Sequence, residues 1–170
     1  MGEIEVSKQA GDELVARGLG SCIGLALVDR LAGVTGLAHI VLPQSTETDR
    51  EQGKFADLAV PALMGHMVRA GASRRRLEAV LAGGARMFEL GELDIGARNE
   101  EAVRAGLVAS GVAIRATATG GSRGRTMRVE VGSCTVTVKE AGGKTTTLLD
   151  GSAGSARRRQ VARALEGAQR

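Results

Sequence analysis

Cys22 follows the glycine-rich segment Gly18-Leu19-Gly20-Ser21, and His39 stands seventeen residues later in Gly36-Leu37-Ala38-His39-Ile40-Val41-Leu42-Pro43. A cysteine attacks as its thiolate, which a neighbouring imidazole or aligned backbone dipoles can generate. The same imidazole can return the proton to a departing amine, acting first as general base and then as general acid. Together the two residue types support moving an acyl group from an amide or ester to Cys22 and then to water. Gly18 and Gly20 permit positive φ or close backbone approach just before the cysteine, in a turn that can aim the N–H groups of Gly20 to Cys22 at a developing oxyanion.

The segments that must position this pair read as a hairpin. Ile23 to Val28 is an apolar run, Asp29 to Gly33 breaks it, and a second run begins at Val34. In an antiparallel hairpin closed by an even-numbered loop, facing residues are an odd number apart. Seventeen is odd, so a turn centred on Arg30-Leu31 sets Cys22 opposite His39 with Cβ atoms roughly 4.5–5.5 Å apart. A one-residue slip would send the two side chains to opposite faces.

Taken singly, a strand cysteine is most often a small buried hydrophobe, and a strand histidine most often satisfies local hydrogen bonds. It is their joint spacing beside the glycine turn that marks them. Cys134 and His66 read as structural, and the two cysteines and two histidines lack the short spacings of a structural zinc site. Gly83-Gly84 and Gly120-Gly121 resemble phosphate loops only loosely, because neither leads into the Gly-Lys-Ser/Thr ending of a P-loop. The chemistry requires no metal or organic cofactor.

At 170 residues the chain is long enough for a single core. Two cysteines form no disulfide scaffold, and there is no basic-then-apolar leader and no apolar run of transmembrane length, so a reducing cytoplasm is expected. The only aromatic residues are Phe55 and Phe88, which argues against base stacking and nucleic-acid binding. The net charge of +4 is equally uninformative about the body: residues 151–170 hold five Arg against one Glu, whereas residues 1–150 hold 18 basic and 18 acidic side chains.

Further along, Glu3-Ile4-Glu5-Val6 alternates as a short first strand, and Leu14 to Ala16 leads into the glycines. Gln44 to Gly53 is a polar loop. Phe55, Leu58, Ala59, Ala62, Leu63, Met67 and Ala70 fall at helical spacing up to Gly71, with Pro61 tolerated only if the helix starts near Asp57. Arg74-Arg75-Arg76 reads as a solvated connection before a strand over Leu77 to Ala82. Asn99 is the expected N-cap of a second helix, with Gly111 at its C-terminal end. Val112 to Thr119 is a further strand. Two more, around Met127 to Val131 and Val136 to Val138, are joined by Gly132-Ser133 read as a two-residue turn. Two helices with six or seven strands, partly in hairpins, indicate an α+β fold with layered sheets. Residues 142–170, Gly/Ser-rich and then Ala/Arg-rich, read as a loosely attached extension of a domain over residues 1–141.

A resemblance adds to this reading. Gly18-Leu19-Gly20-Ser21-Cys22, Leu37-Ala38-His39-Ile40-Val41-Leu42-Pro43, Lys54-Phe55-Ala56-Asp57, Ala82-Gly83-Gly84-Ala85-Arg86-Met87-Phe88, Ile95-Gly96-Ala97-Arg98-Asn99 and Thr119-Gly120-Gly121-Ser122-Arg123 resemble, in order, segments of the CheD chemoreceptor glutamine deamidases. The resemblance implies a bacterial chemotaxis enzyme that converts receptor glutamines to glutamates, with glutamate methyl esters as further substrates. It implies a layered α/β/β sandwich, two helices on largely antiparallel or mixed sheets, similar to the cytotoxic necrotizing factor deamidases. Its implied partners are the cytoplasmic helices of methyl-accepting chemoreceptors and the phosphatase CheC. The family's catalytic Cys and His fall on Cys22 and His39. The family's third catalytic residue, a threonine six places before the cysteine that orients the histidine, falls on Ala16, which has no hydrogen-bonding side chain. The alternative implied by that departure is a turnover-impaired relative that acts by binding receptors or CheC.

Overall fold

The computed structural model describes residues 1–86 and 94–152. Nine strands and two helices are formed: β1 (Ile4–Ser7), β2 (Glu13–Leu19), β3 (Ile23–Asp29), β4 (Val34–Ile40), α1 (Ala56–Arg69), β5 (Glu78–Gly83), α2 (Ile95–Ala109), β6 (Ala113–Thr119), β7 (Arg125–Glu130), β8 (Thr135–Glu140) and β9 (Thr145–Leu149). They make a five-stranded sheet of order β1-β4-β3-β5-β6 and a four-stranded sheet of order β2-β7-β8-β9. Every pairing is antiparallel except β5 with β6. That parallel pair needs a crossover, which α2 supplies. The architecture is the expected α/β/β layering.

The five-stranded sheet is the middle layer, so its central strands are covered on both faces. This explains why β3 and β4 are apolar almost throughout rather than alternating, with every residue buried. On one face Ile23, Leu25, Leu27, Ala38 and Ile40 pack with Leu63, Met67, Val103 and Leu107 of the helices. On the other, Cys22, Ala26, Val28 and Leu37 pack with Leu19, Met127, Val129 and Val136 of the second sheet. Each large side chain so buried stabilises the fold by about 1.5–3 kcal/mol.

Helix α1 begins at Ala56, so the exposed Pro61 falls in its second turn and forfeits one early hydrogen bond. Several expectations need correction. The β3–β4 register pairs Asp29 with Val34, so the loop is the four residues Arg30 to Gly33 and is centred on Leu31-Ala32 rather than Arg30-Leu31. Asp29 builds that loop, its Oδ1 accepting from the Leu31 and Ala32 N–H groups at 3.0 Å each. The β7–β8 loop is likewise four residues, 131–134, because Glu130 pairs with Thr135 and Cys134 takes φ 60°. Thr145–Leu149 is a ninth strand on the edge of the second sheet, so the domain runs past residue 141. Its run of threonines suits a pleated edge, a signal the surrounding glycines hide. The Arg-rich stretch from residue 153 onward, and Met87-Phe88, lie outside the described residues. Arg76 does more than solvate a connection: its guanidinium pairs with the fully buried Asp29 at 2.8 Å.

Candidate functional site

The turn that carries Cys22 joins β2 of one sheet to β3 of the other, and each of its three carbonyls is held by a donor from elsewhere in the chain. The Gly20 oxygen accepts from the Ala85 N–H at 2.8 Å and the Cys22 oxygen from the Gly84 N–H at 2.9 Å. The Ser21 oxygen accepts from Asn99 Nδ2 at 2.9 Å. With the carbonyls drawn toward β5 and α2, the conformation of the turn is over-determined before any substrate arrives.

This contact demands glycine at one place above all. Gly83 has φ +107°, and a Cβ there would sit 2.1 Å from the Cys22 carbonyl oxygen. Gly96 is similarly confined, with Gly84 O 2.6 Å from its absent Cβ. Gly83-Gly84 is therefore a cradle for the Gly20–Cys22 turn and not a phosphate loop, and it explains why the two glycine-containing segments belong together.

His39 lies on β4, buried to 8% exposure like Cys22. Its backbone is locked from the outer side by β1 and the residues before it: its N–H donates to Glu3 O and its carbonyl accepts from the Gly2 N–H, both at 3.0 Å. Both groups thus point away from β3, so His39 and its partner Gly24 form a non-hydrogen-bonded pair, with backbones about 4.5 Å apart. Gly24, not Cys22, faces the imidazole. The shifted centre of the β3–β4 turn moves Cys22 to the diagonal position, roughly 7–8 Å from His39. Both residues remain on the face turned toward the second sheet. No side chain rises from Gly24 to come between them, the space over its Cα being filled by Leu19 and Met127.

A cleft of about 290 Å³ opens beside the histidine, walled by Glu3, Glu5, Val15, Ala16, Arg17, Leu37, Met1 and His39. Ala16, 4% exposed on β2, shares this cleft with His39, whereas Cys22 is not on its wall. His39 Nε2 is buried and has no hydrogen-bond partner among the described residues. A larger cleft of about 420 Å³ lies at the opposite end of the five-stranded sheet. Its Arg30 and Arg115 share the two oxygens of Glu78, which ties the β3–β4 loop and β6 to β5.

Burial pushes the Cys22 thiol above its ordinary 9.0, with the positive N-terminus and its own backbone amide pulling the other way. Burial pushes the His39 imidazolium below its ordinary 6.5, aided by the N-terminal charge and opposed by Glu3. Both shifts favour the uncharged forms. Desolvation thus works against a thiolate–imidazolium pair at this site.

Asn99 was expected to cap α2 and does not. Asp94 is the N-cap, its side chain accepting from the Ala97 N–H at 3.0 Å. Asn99 sits inside the helix with no solvent exposure and turns its amide toward the sheet. A polar residue at a helical position otherwise filled by Val103 and Leu107 was the available signal, and its caplike chemistry concealed it. His66 is half-buried on α1 and Cys134 is buried at the β7–β8 loop, and the two cysteines are not joined in a disulfide. Among the described residues no three His, Cys, Asp or Glu side chains are grouped to hold a metal ion, and no helix is long and apolar enough to cross a membrane.

Residues 41–140 match the family model CheD, described as CheD chemotactic sensory transduction. A probable chemoreceptor glutamine deamidase CheD from Symbiobacterium thermophilum is 43% identical over 149 residues, covering 84% of this chain and 90% of that protein. The chemoreceptor glutamine deamidase CheD of Thermotoga maritima is 41% identical over 143 residues, with the same two coverages. A probable chemoreceptor glutamine deamidase CheD from Clostridium novyi is 46% identical over 121 residues, 68% of this chain and 75% of that protein.

Proposed function

The chain belongs to the CheD family, and on that footing we propose that it is a cytoplasmic chemotaxis hydrolase that converts glutamine side chains of chemoreceptors to glutamate, with Cys22 as nucleophile and His39 as base. The observation that carries this reading is the pinned Gly20–Cys22 turn on the same sheet face as His39, in a chain whose relatives bear the name of that activity.

In the proposed cycle His39 takes the thiol proton as Cys22 Sγ attacks the carboxamide carbon of the glutamine. The carbonyl π electrons move to oxygen, and the N–H groups of Ser21 and Cys22 stabilise that charge, the Gly20 N–H being given to Gly18 O at 2.9 Å. Collapse of the tetrahedral adduct breaks the carbon–nitrogen bond, and His39 gives its proton to the departing ammonia. A water molecule, deprotonated by His39, then attacks the thioester; the glutamate carboxyl forms and the thiol regains its proton. Desolvation of His39 suits this order, because the base must be unprotonated at the start. Glutamate methyl esters would enter by the same steps, with methanol as leaving group. The receptor's cytoplasmic helices are the proposed substrate and CheC a proposed regulatory partner.

Incubating the protein with a receptor cytoplasmic fragment and following the amide-to-acid mass gain by mass spectrometry tests this. The gain is expected with the wild type and lost by more than about 10³-fold with Cys22→Ala or His39→Ala. Equal, background-level conversion by wild type and both variants would sink the reading.

One observation favours a second reading, in which the protein binds receptors or CheC without turnover: the unpartnered His39 Nε2 beside Ala16 leaves the imidazole without the orienting group implied for the family. Binding without turnover distinguishes the two: a wild-type chain that co-purifies with the receptor fragment yet leaves its mass unchanged would support the binding reading.

A further inference from the structure

We infer that Asn99 is a positioning residue, which sets the separation between the nucleophile turn and the histidine strand by bridging them through one side-chain amide. The inference rests on the deamidase reading for what is being positioned, but the geometry stands by itself. Asn99 Nδ2 donates to Ser21 O at 2.9 Å and to Val41 O at 2.8 Å. Ser21 immediately precedes Cys22, and Val41 lies two residues after His39 on the strand's continuation. One planar NH₂ group thus holds the two chain segments that bear the reacting side chains.

The orientation of the amide is dictated by chemistry. Two carbonyl oxygens converge on one end of the side chain, and only the donor end can face them. The acceptor, Oδ1, is buried and unpartnered among the described residues. An apolar residue would have satisfied the core at this helix position, as Val103 and Leu107 do one and two turns later. Instead a wholly buried polar group is kept whose two donors are spent on these two carbonyls.

Gly84, Ala85 and Asn99 then act as a set, each fixing one carbonyl of Gly20, Ser21 or Cys22. The first two are backbone donors from the end of β5 and see only the nucleophile side. Asn99 alone among them also reaches the histidine side. Its loss should therefore alter the relation between Cys22 and His39, not merely loosen the turn.

The test uses the full chain and two variants. Asn99→Leu removes the donors at similar volume, and Asn99→Asp sets a carboxylate against the two carbonyls. Each is measured well below its own unfolding temperature for kcat and KM on a receptor fragment, and for the pH midpoint of Cys22 alkylation. We expect kcat to fall about 10–100-fold with KM within about twofold, as misplacement of reacting groups demands. The alkylation midpoint should move down toward that of an ordinary, exposed cysteine as the turn opens. Folded variants with wild-type kcat and an unmoved midpoint overturn the assignment, and so does failure of both variants to fold, which would make Asn99 a core residue only. A wild-type protein without turnover would count against the deamidase reading alone, because the alkylation midpoint still decides the role of Asn99.

Discussion

Ala16 and His39 wall the same cleft although they belong to different sheets, Ala16 to β2 at the edge of the four-stranded sheet and His39 to β4 of the five-stranded one. The residue six places before Cys22 thereby shares a cleft with His39. Ala16→Thr should supply a hydroxyl to the buried, unpartnered Nε2 of His39. Threonine suits a strand position, and orienting partners of this kind are commonly worth about 10–100-fold. Deamidation of a receptor fragment should rise by that order; an unchanged or lower rate would show that position 16 does not limit the wild type.

The pH dependence follows from burial of both reacting groups. Because the folded His39 imidazolium is more acidic than the ordinary 6.5 and the Cys22 thiol less acidic than 9.0, kcat/KM should lose its acid limb only below pH 6.5. Cys22 alkylation should show a midpoint above 9.0. A midpoint below that value would mean an ion pair already formed at rest. The same shift makes the histidine a cost in acid: below pH 6.5 the unfolded chain takes up a proton the folded chain refuses, so stability falls there. His39→Gln should flatten that part of a thermal-melt profile.

Gly83→Ala tests the cradle. Its Cβ would meet the Cys22 carbonyl at 2.1 Å and its backbone would be strained at φ +107°, so the turn must shift. Activity should fall by about 100-fold or more. Gly11→Ala, also at positive φ but with nothing within 4 Å of its Cβ, is the control for strain alone and should retain activity.

Asp29 should govern stability without touching catalysis. Burial by itself would raise its carboxyl, yet donors from Arg76, Ser73 and Ala32 hold it below the ordinary 3.8. That contribution is present above pH 3.8 and is lost as pH falls through the lower folded value. Asp29→Asn leaves buried N–H groups short of an acceptor and should cost about 2–4 kcal/mol in denaturant unfolding. Turnover at a permissive temperature should be unchanged, since Asp29 lies at the end of β3 away from Cys22.

What the sequence determined by itself was the shared sheet face of Cys22 and His39 and the α+β class with layered sheets. The shared face was legible because parity survives errors: moving the centre of the β3–β4 turn from Arg30-Leu31 to Leu31-Ala32 moves His39 from Cys22 to Gly24 but preserves the odd spacing, and with it the side of the sheet. Strands β3 and β4 and helix α1 were legible because their apolar patterns are long and carry one period each. Only the tertiary structure decided the rest. The register depends on hydrogen bonds that Asp29 makes to its own loop, which no hydrophobic pattern records. Strand β9 depends on an available edge of β8. Asn99 looked like a cap because asparagine caps helices well, and its two carbonyl partners, 78 and 58 residues distant in the chain, exist only once the turn and the strand are folded against α2. The meeting of Ala16 with His39 is likewise a property of two sheets packed face to face, since neither strand alone contains the other's residue.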